Sequence, residues 1–186
     1  MYRHSNAPWV AWVGDRFMKT VLIAAAAAAA LLAAPAFAQA QDTSVYASVG
    51  VGIIDSSPVK LGAATFRLGA NFTPVFGAEV QGSLGVSGDQ SLGVEYDLNS
   101  ELAAFVTARK AIGDKGSIIA RVGYSTIEAE ASAGGVSVTD DQSGMAFGLG
   151  IQGEVGPSSA IRIDWTRYNF DEDADAISVS FVHTFN

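Results

Sequence analysis

The chain closes on "DADAISVSFVHTFN", residues 173–186, and the alternation in that stretch decides how the rest is read. Ile177, Val179, Phe181, His183 and Phe185 fall on one parity, and Ser178, Ser180, Val182 and Thr184 on the other. Successive side chains of an extended strand point to opposite faces. The spacing therefore predicts a strand with one bulky face and one small, mostly polar face.

The same period recurs upstream, interrupted each time by turn residues. A first strand is predicted over residues 44–54, with Val45, Ala47, Val49, Val51 and Ile53 on one face. A second covers 59–72, where Phe66 and Leu68 alternate with Thr65 and Arg67. A third covers 76–86, a fourth 98–109 and a fifth 117–130. The sixth carries Met145, Phe147, Leu149 and Ile151, the seventh Ile161, Ile163 and Trp165, and the tail is the eighth. Short turns are expected at Thr73-Pro74, 111–115 and 155–159. Longer acidic loops are expected at 87–97, 131–143 and 170–175, with a short one at 55–58.

The polar faces choose the architecture. They carry Arg67, Glu79, Glu101, Arg109, Arg121, Glu154, Arg162 and Asp164, balanced in sign and mixed with small residues such as Gly69, Gly77, Gly148 and Gly150. A solvated face would be richer in lysine. Balanced charges among small residues fit a crowded interior of paired ions. The expectation is an all-β, eight-stranded antiparallel up-and-down transmembrane β-barrel, apolar outside and packed with polar groups inside. A bilayer demands closure, because an open edge would leave backbone groups unpaired in hydrocarbon. A hairpin symmetric about Thr73 would set Arg67 opposite Glu79. A turn symmetric about Pro157 would leave Glu154 diagonal to Arg162. Both pairings favour opposite charges. Phe105 and Tyr46 share the inward parity, so they fill the lumen unless a bulge shifts them.

The other end reads as an export signal. "MKTVLIAAAAAAALLAAPAFAQA" begins at Met18 with Lys19, continues through an apolar run at 21–34, and reaches Ala36-Phe37-Ala38. Charged start, short apolar core and A-x-A site, in that order, are those of a cleaved signal peptide. The expected division is an extension at 1–17, a signal peptide at 18–40 and a barrel at 41–186. Translation starts at Met1 or Met18, and cleavage follows Ala38 or Ala40. Without residues 1–38 the chain keeps 8 Lys and Arg against 18 Asp and Glu, a net charge of −10. Such a surface argues against nucleic acid as partner. The absence of cysteine excludes disulfides and thiolate metal sites.

Three motifs mislead. "GLGIQG" at 148–153 matches a dinucleotide fingerprint, but no helix pattern follows it. "DEDAD" at 171–175 begins like a calcium loop, yet Ala176 and Val182 stand where such a loop needs Gly and Glu. A solvated acidic tip is the simpler reading. The sharper one has it bridge lipopolysaccharide through divalent cations together with Asp140 and Asp141. "NFT" at 71–73 is a sequon on a strand end and carries no information. His183 is the one histidine after residue 40, and Ser178 and Ser180 face away from it, so no catalytic residues are assigned. No cofactor or metal is expected.

The stretch "FRLGANFTPVFGAEVQGSLG", 66–85, resembles the second hairpin of the outer membrane protein A-like β-barrel family. The likeness extends as a whole-domain pattern over residues 41–186. The final strand, with Phe181 and Phe185, is similar to the signal read by the barrel-assembly machinery. Family chains usually end on the aromatic itself, whereas Asn186 follows here. Some relatives carry a peptidoglycan-binding domain after the barrel, and none is expected beyond this eighth strand. The resemblance implies a place in the bacterial outer membrane with both termini periplasmic. It implies lipid, lipopolysaccharide and the assembly machinery as partners, and an unidentified partner for the acidic loops. The expected role is envelope integrity or surface interaction through a closed barrel. A narrow pore, an outer-membrane enzyme and a soluble lipocalin-like ligand carrier are the alternatives.

Overall fold

The computed structural model describes residues 43–185, so the expected leader and Asn186 lie outside the described residues. Eight long strands and one short one form the described fold. They are β1 (Ser44–Ser56), β2 (Val59–Asn71), β3 (Phe76–Ser87), β4 (Asp89–Ser91), β5 (Val94–Ile112), β6 (Gly116–Ala133), β7 (Val136–Gly156), β8 (Ser159–Asn169) and β9 (Ala174–Phe185). Each long strand pairs antiparallel with its sequence neighbours, β1 pairs with β9, and β3 pairs with β5. The sheet thereby closes on itself. The three-residue β4 adds to β5 beyond the point where β3 leaves it.

Alternation sets the two faces as the spacing predicts. Val49, Val51, Phe66, Leu68, Leu149, Ile151, Val179 and Phe181 are exposed on the outside. Arg67, Glu79, Glu101, Arg121, Arg162 and Asp164 are buried inside. On β7 the outer row runs Met145, Phe147, Leu149, Ile151 and, past Gly153, Val155. At ~3.4 Å per residue and a ~40° tilt this row rises about 26 Å, close to the ~25 Å apolar band of a membrane barrel.

Two expectations change. First, Arg67 faces Gln81, and Gly69 faces Glu79. The turn centres on Pro74 rather than Thr73, because the Thr73 hydroxyl accepts the N–H groups of Val75 (3.2 Å) and Phe76 (2.8 Å). Second, most of 87–97 and 131–143 is strand. β6 and β7 continue to a two-residue turn at Gly134-Gly135, both at positive φ (59° and 83°). Such a turn matches strand twist and needs residues free to enter that region. With β4 and β5 they make a sheet that stands beyond the barrel.

Candidate functional site: a sealed charged lumen and an exposed acidic sheet

The inward parity of the eight long strands gathers side chains that are far apart in sequence. Glu79 is the hub. It accepts hydrogen bonds from Arg121 (2.9 Å), Arg162 (2.7 Å) and the Tyr46 hydroxyl (3.0 Å), and lies 3.8 Å from the Arg67 guanidinium. Asp164 holds Arg162 at 2.8 Å and Arg67 at 3.2 Å. Arg67 also donates to Gln81, Ser178 and Ser180. Arg121 reaches Gln81 and Thr166 and stacks over Phe105, 4.5 Å from the ring centre. Glu101 is held by neutral donors: Gln81, Tyr168 at 2.7 Å, Ser83 and Ser125.

Three arginines are thus buried with three carboxylates, two of which they touch, and the buried set is neutral. An unpaired ion here would be very costly, so balance and near-complete hydrogen bonding are what this interior requires. Apolar groups close both ends of the network. Ile54, Leu98, Phe105 and Tyr168 belong to a cluster on the hairpin side, and Tyr46, Ala160 and Val182 to one on the terminus side. A void beside Glu101, Arg67 and Arg121 is about 10 Å³, room for roughly one water. Phe105 and Tyr46 therefore fill the lumen, and the bulges fall elsewhere, at Gly62/Ala63, Leu98/Ser100 and Glu154/Gly156.

Of the eight charged residues singled out from sequence, six come together. Arg109 stops short of them, half-buried at the terminus-end mouth, where it donates to Gln152 at 3.0 Å. Glu154 is exposed at the same mouth. It faces Ala160, diagonal to Arg162 as the spacing suggests, but β7 has reached its end and bulges there, so the carboxylate turns to solvent. Sequence reasoning placed Ser178 and Ser180 on the small polar face of the last strand but missed the neutral partners Gln81, Tyr168 and Thr166. Their signal was available, because each shares the inward parity of a charged neighbour. Gly148 and Gly150 also point inward. A Cβ on either would collide with the Arg121 or Asp164 side chain, which is why the fingerprint-like "GLGIQG" is glycine-rich.

Phe181 and Phe185 are exposed on the outer face of β9, and the His183 ring meets Phe185 edge-on at 5.0 Å. Ser178 and Ser180 are buried on the opposite face. The acidic tip is a clasp: Arg167 holds Asp173 at 2.7 Å and Asp175 at 2.6 Å. Among the described residues no group of three or more His, Cys, Asp or Glu is placed to hold a metal ion.

Polarity inverts at the hairpin end. The outer row turns from Tyr124 through Thr126 to Glu128 on β6, from Met145 through Ser143 to Asp141 on β7, and from Trp165 to Arg167 on β8. The inner row turns mostly apolar at the same level, with Tyr96, Leu98, Ile127, Ala129, Ala131, Val138 and Val136, although Asp140 and Asp89 share that face. Below this level the apolar side faces out, and above it the polar side does. Segments 55–60, 89–98, 128–141 and 167–175 hold 12 Asp and Glu against two Lys and Arg. At the terminus end, 109–116 and 154–159 hold two against three.

The family model described as "Outer membrane protein beta-barrel domain" matches residues 24–185. Solved structures share the fold. The N-terminal β-barrel domain of Pseudomonas aeruginosa OprF aligns with TM-score 0.61 and 7% identity, over 76% of this chain and 97% of that one. Neisserial surface protein A aligns at 0.57 and 13%, over 77% and 97%. Ail, the attachment invasion locus protein of Yersinia pestis, in complex with the heparin analogue sucrose octasulfate, aligns at 0.57 and 14%, over 77% and 97%. No curated protein matches this chain.

Proposed function

Since the chain belongs to the outer membrane protein β-barrel domain family, we propose that it is a closed, non-conducting barrel of the outer membrane that serves the envelope as a surface-interaction module. The sealed lumen carries this reading. Six buried charges cancel, apolar clusters lie at both ends, and the void beside Glu101 is about 10 Å³. An ion crossing would have to displace guanidinium–carboxylate contacts in a site with no replacement partners. A lipocalin-like carrier needs an apolar cavity, and the outer belt would have to face water. For the enzyme reading, the serines nearest His183 on β9, Ser178 and Ser180, are buried on the opposite face.

The work then falls to the surfaces. The belt faces lipid and lipopolysaccharide, and the strand ending at Phe181 and Phe185 is the one offered to the barrel-assembly machinery. Short turns share an end with both strand termini, and longer hairpins the other. Barrels of this class keep short turns periplasmic, and that rule supports periplasmic termini with the protruding sheet outside the cell. The segment 18–40 is removed on export. The Yersinia relative was solved with a polyanion. The acidic hairpin end of this chain would repel such a ligand, so its own partner should be cationic or neutral.

Cell fractionation with a gel-shift assay tests the membrane part. The protein should enter the outer-membrane fraction and migrate differently after boiling. Planar-bilayer recording tests the closed lumen: the folded protein should give no steady unitary current. Regular channel openings from the unmutated protein would replace this reading with the narrow pore.

A further inference from the structure

The cations of the chain divide by whether a carboxylate holds them. Among the described residues there are eight Lys and Arg. Arg67, Arg121 and Arg162 are bound to carboxylates inside the barrel, Lys60 holds Asp55 at 3.0 Å, and Arg167 holds Asp173 and Asp175. The other three, Arg109, Lys110 and Lys115, make no ion pair among the described residues. All three stand within residues 109–115, where β5 turns into β6 at the terminus end. Asp114 is the one carboxylate in that stretch, which leaves it a net charge of +2. The chain after residue 38 carries −10, so this spot is positive against an acidic whole.

The lysines lie at the rim of the lipid-facing surface. Lys110 is exposed and continues the outer row of β5 after Val106 and Ala108. Exposed apolar side chains share that face: Ile118 opposite Lys110, Phe76 opposite Ala108, and Ile112 at the end of β5. Lys115 is exposed in the turn, beside Gly116, the register partner of Ile112. A lysine on such a row lays its alkyl stem along the apolar surface and lifts its ammonium to the level of the head groups. Arg109 has the opposite parity and reaches Gln152 at the lumen mouth, so it adds positive field without facing lipid. We propose that Lys110 and Lys115 hold the phosphate of an anionic phospholipid in the leaflet at the terminus end. A net charge of +2 selects a head group that is itself negative over a zwitterionic one, whose own cation offsets its phosphate. A soluble anion is the poorer occupant, because Lys110 is on the lipid-facing row and not around the mouth. The inference rests on the membrane reading above and names a lipid for one end of the belt.

The test titrates the unmutated barrel, folded in neutral detergent, with phosphatidylglycerol or with phosphatidylcholine of the same acyl chains. Native mass spectrometry reads the one-to-one adducts. Phosphatidylglycerol should bind the more tightly. Lys110→Gln and Lys115→Gln should each weaken it about fivefold, the scale for one basic side chain at an anionic surface. The double variant should bind the two lipids alike, and Lys110→Arg should keep the preference. Lys60→Gln loses the same charge at the other end of the barrel and should leave the preference unchanged. Equal binding of the two lipids by the unmutated barrel would overturn the proposal. So would a preference that survives in the double variant, or one that falls as far in Lys60→Gln, which would mean attraction by overall charge. Glycerol phosphate supplies the head-group phosphate without chains. If it displaces phosphatidylglycerol at equal concentration, the site takes a soluble anion and the lipid assignment fails. The boiling shift is run on each protein. A parent that shifts and shows no preference counts against the lipid site alone, whereas a parent without the shift counts against the membrane reading.

Discussion

Arg162 donates to Glu79 across 2.7 Å at the centre of the lumen, and both side chains are almost wholly withdrawn from solvent. Glu79 also takes Arg121 and Tyr46 and lies beside Arg67, so one carboxylate anchors three cations. Removing it should be far worse than its own bonds suggest. Glu79→Ala leaves a buried excess of positive charge and is expected to cost about 3–5 kcal/mol, the scale for breaking a buried ion pair. Urea titration in lipid vesicles, followed by the boiling shift, measures it. Replacing Glu79 and Arg162 together by uncharged residues of similar size should recover part of the loss, because the remaining charges are then balanced.

Glu101 makes a complementary case. Neutral groups hold it, chiefly Gln81 and Tyr168, and no guanidinium lies within ion-pair distance among the described residues. Tyr168→Phe keeps the ring that stacks on Phe170 at 5.4 Å and deletes only the hydroxyl. The expected cost is about 1–3 kcal/mol, the range for leaving a buried acceptor short of a partner. A midpoint unchanged within error would show that water replaces the hydroxyl.

Tyr46 lies over Gly69, its register partner on β2, and a Cβ at 69 would fall within the phenol ring. The glycine is there for space. Gly69→Ala should destabilise by about 1–3 kcal/mol through overpacking. Tyr46→Ser should be costly alone, since it opens a cavity and strips a donor from Glu79. Combined, the two should cost less than their sum, and a double-mutant cycle gives the coupling directly. Strict additivity would mean the ring moves aside.

Strand number and facing were legible because period-2 alternation survives in every long strand, from Val45 to Phe185. The network was legible in membership more than in contacts. Arg67 and Glu79 meet, but diagonally, since a hydroxyl at Thr73 moved the turn centre and no hydrophobic pattern records that. The hairpin at 131–143 was hidden by composition. Gly134-Gly135 and Asp140-Asp141 read as loop, although "VSVT" at 136–139 already alternated. Its polarity runs opposite to that of the barrel below, so a search for apolar-outward strands passes over it.

That inversion supplies the sharpest test of where the membrane ends. Leu149 is at the middle of the outer row on β7, and Ser132 is on the outer face of β6 above the switch, opposite Ser137. Both point away from the barrel axis, and neither joins the lumen network. If the apolar row marks hydrocarbon, arginine should be tolerated very differently at the two sites. Leu149→Arg is expected to cost about 2–4 kcal/mol in lipid vesicles, and Ser132→Arg about 0–1 kcal/mol. The same pair compared in detergent micelles should differ less, because a micelle deforms around a charge more readily than a bilayer. Equal costs in lipid would place the bilayer elsewhere along the strands and return the protruding sheet to the membrane. A large difference fixes the water boundary between Tyr124 and Glu128.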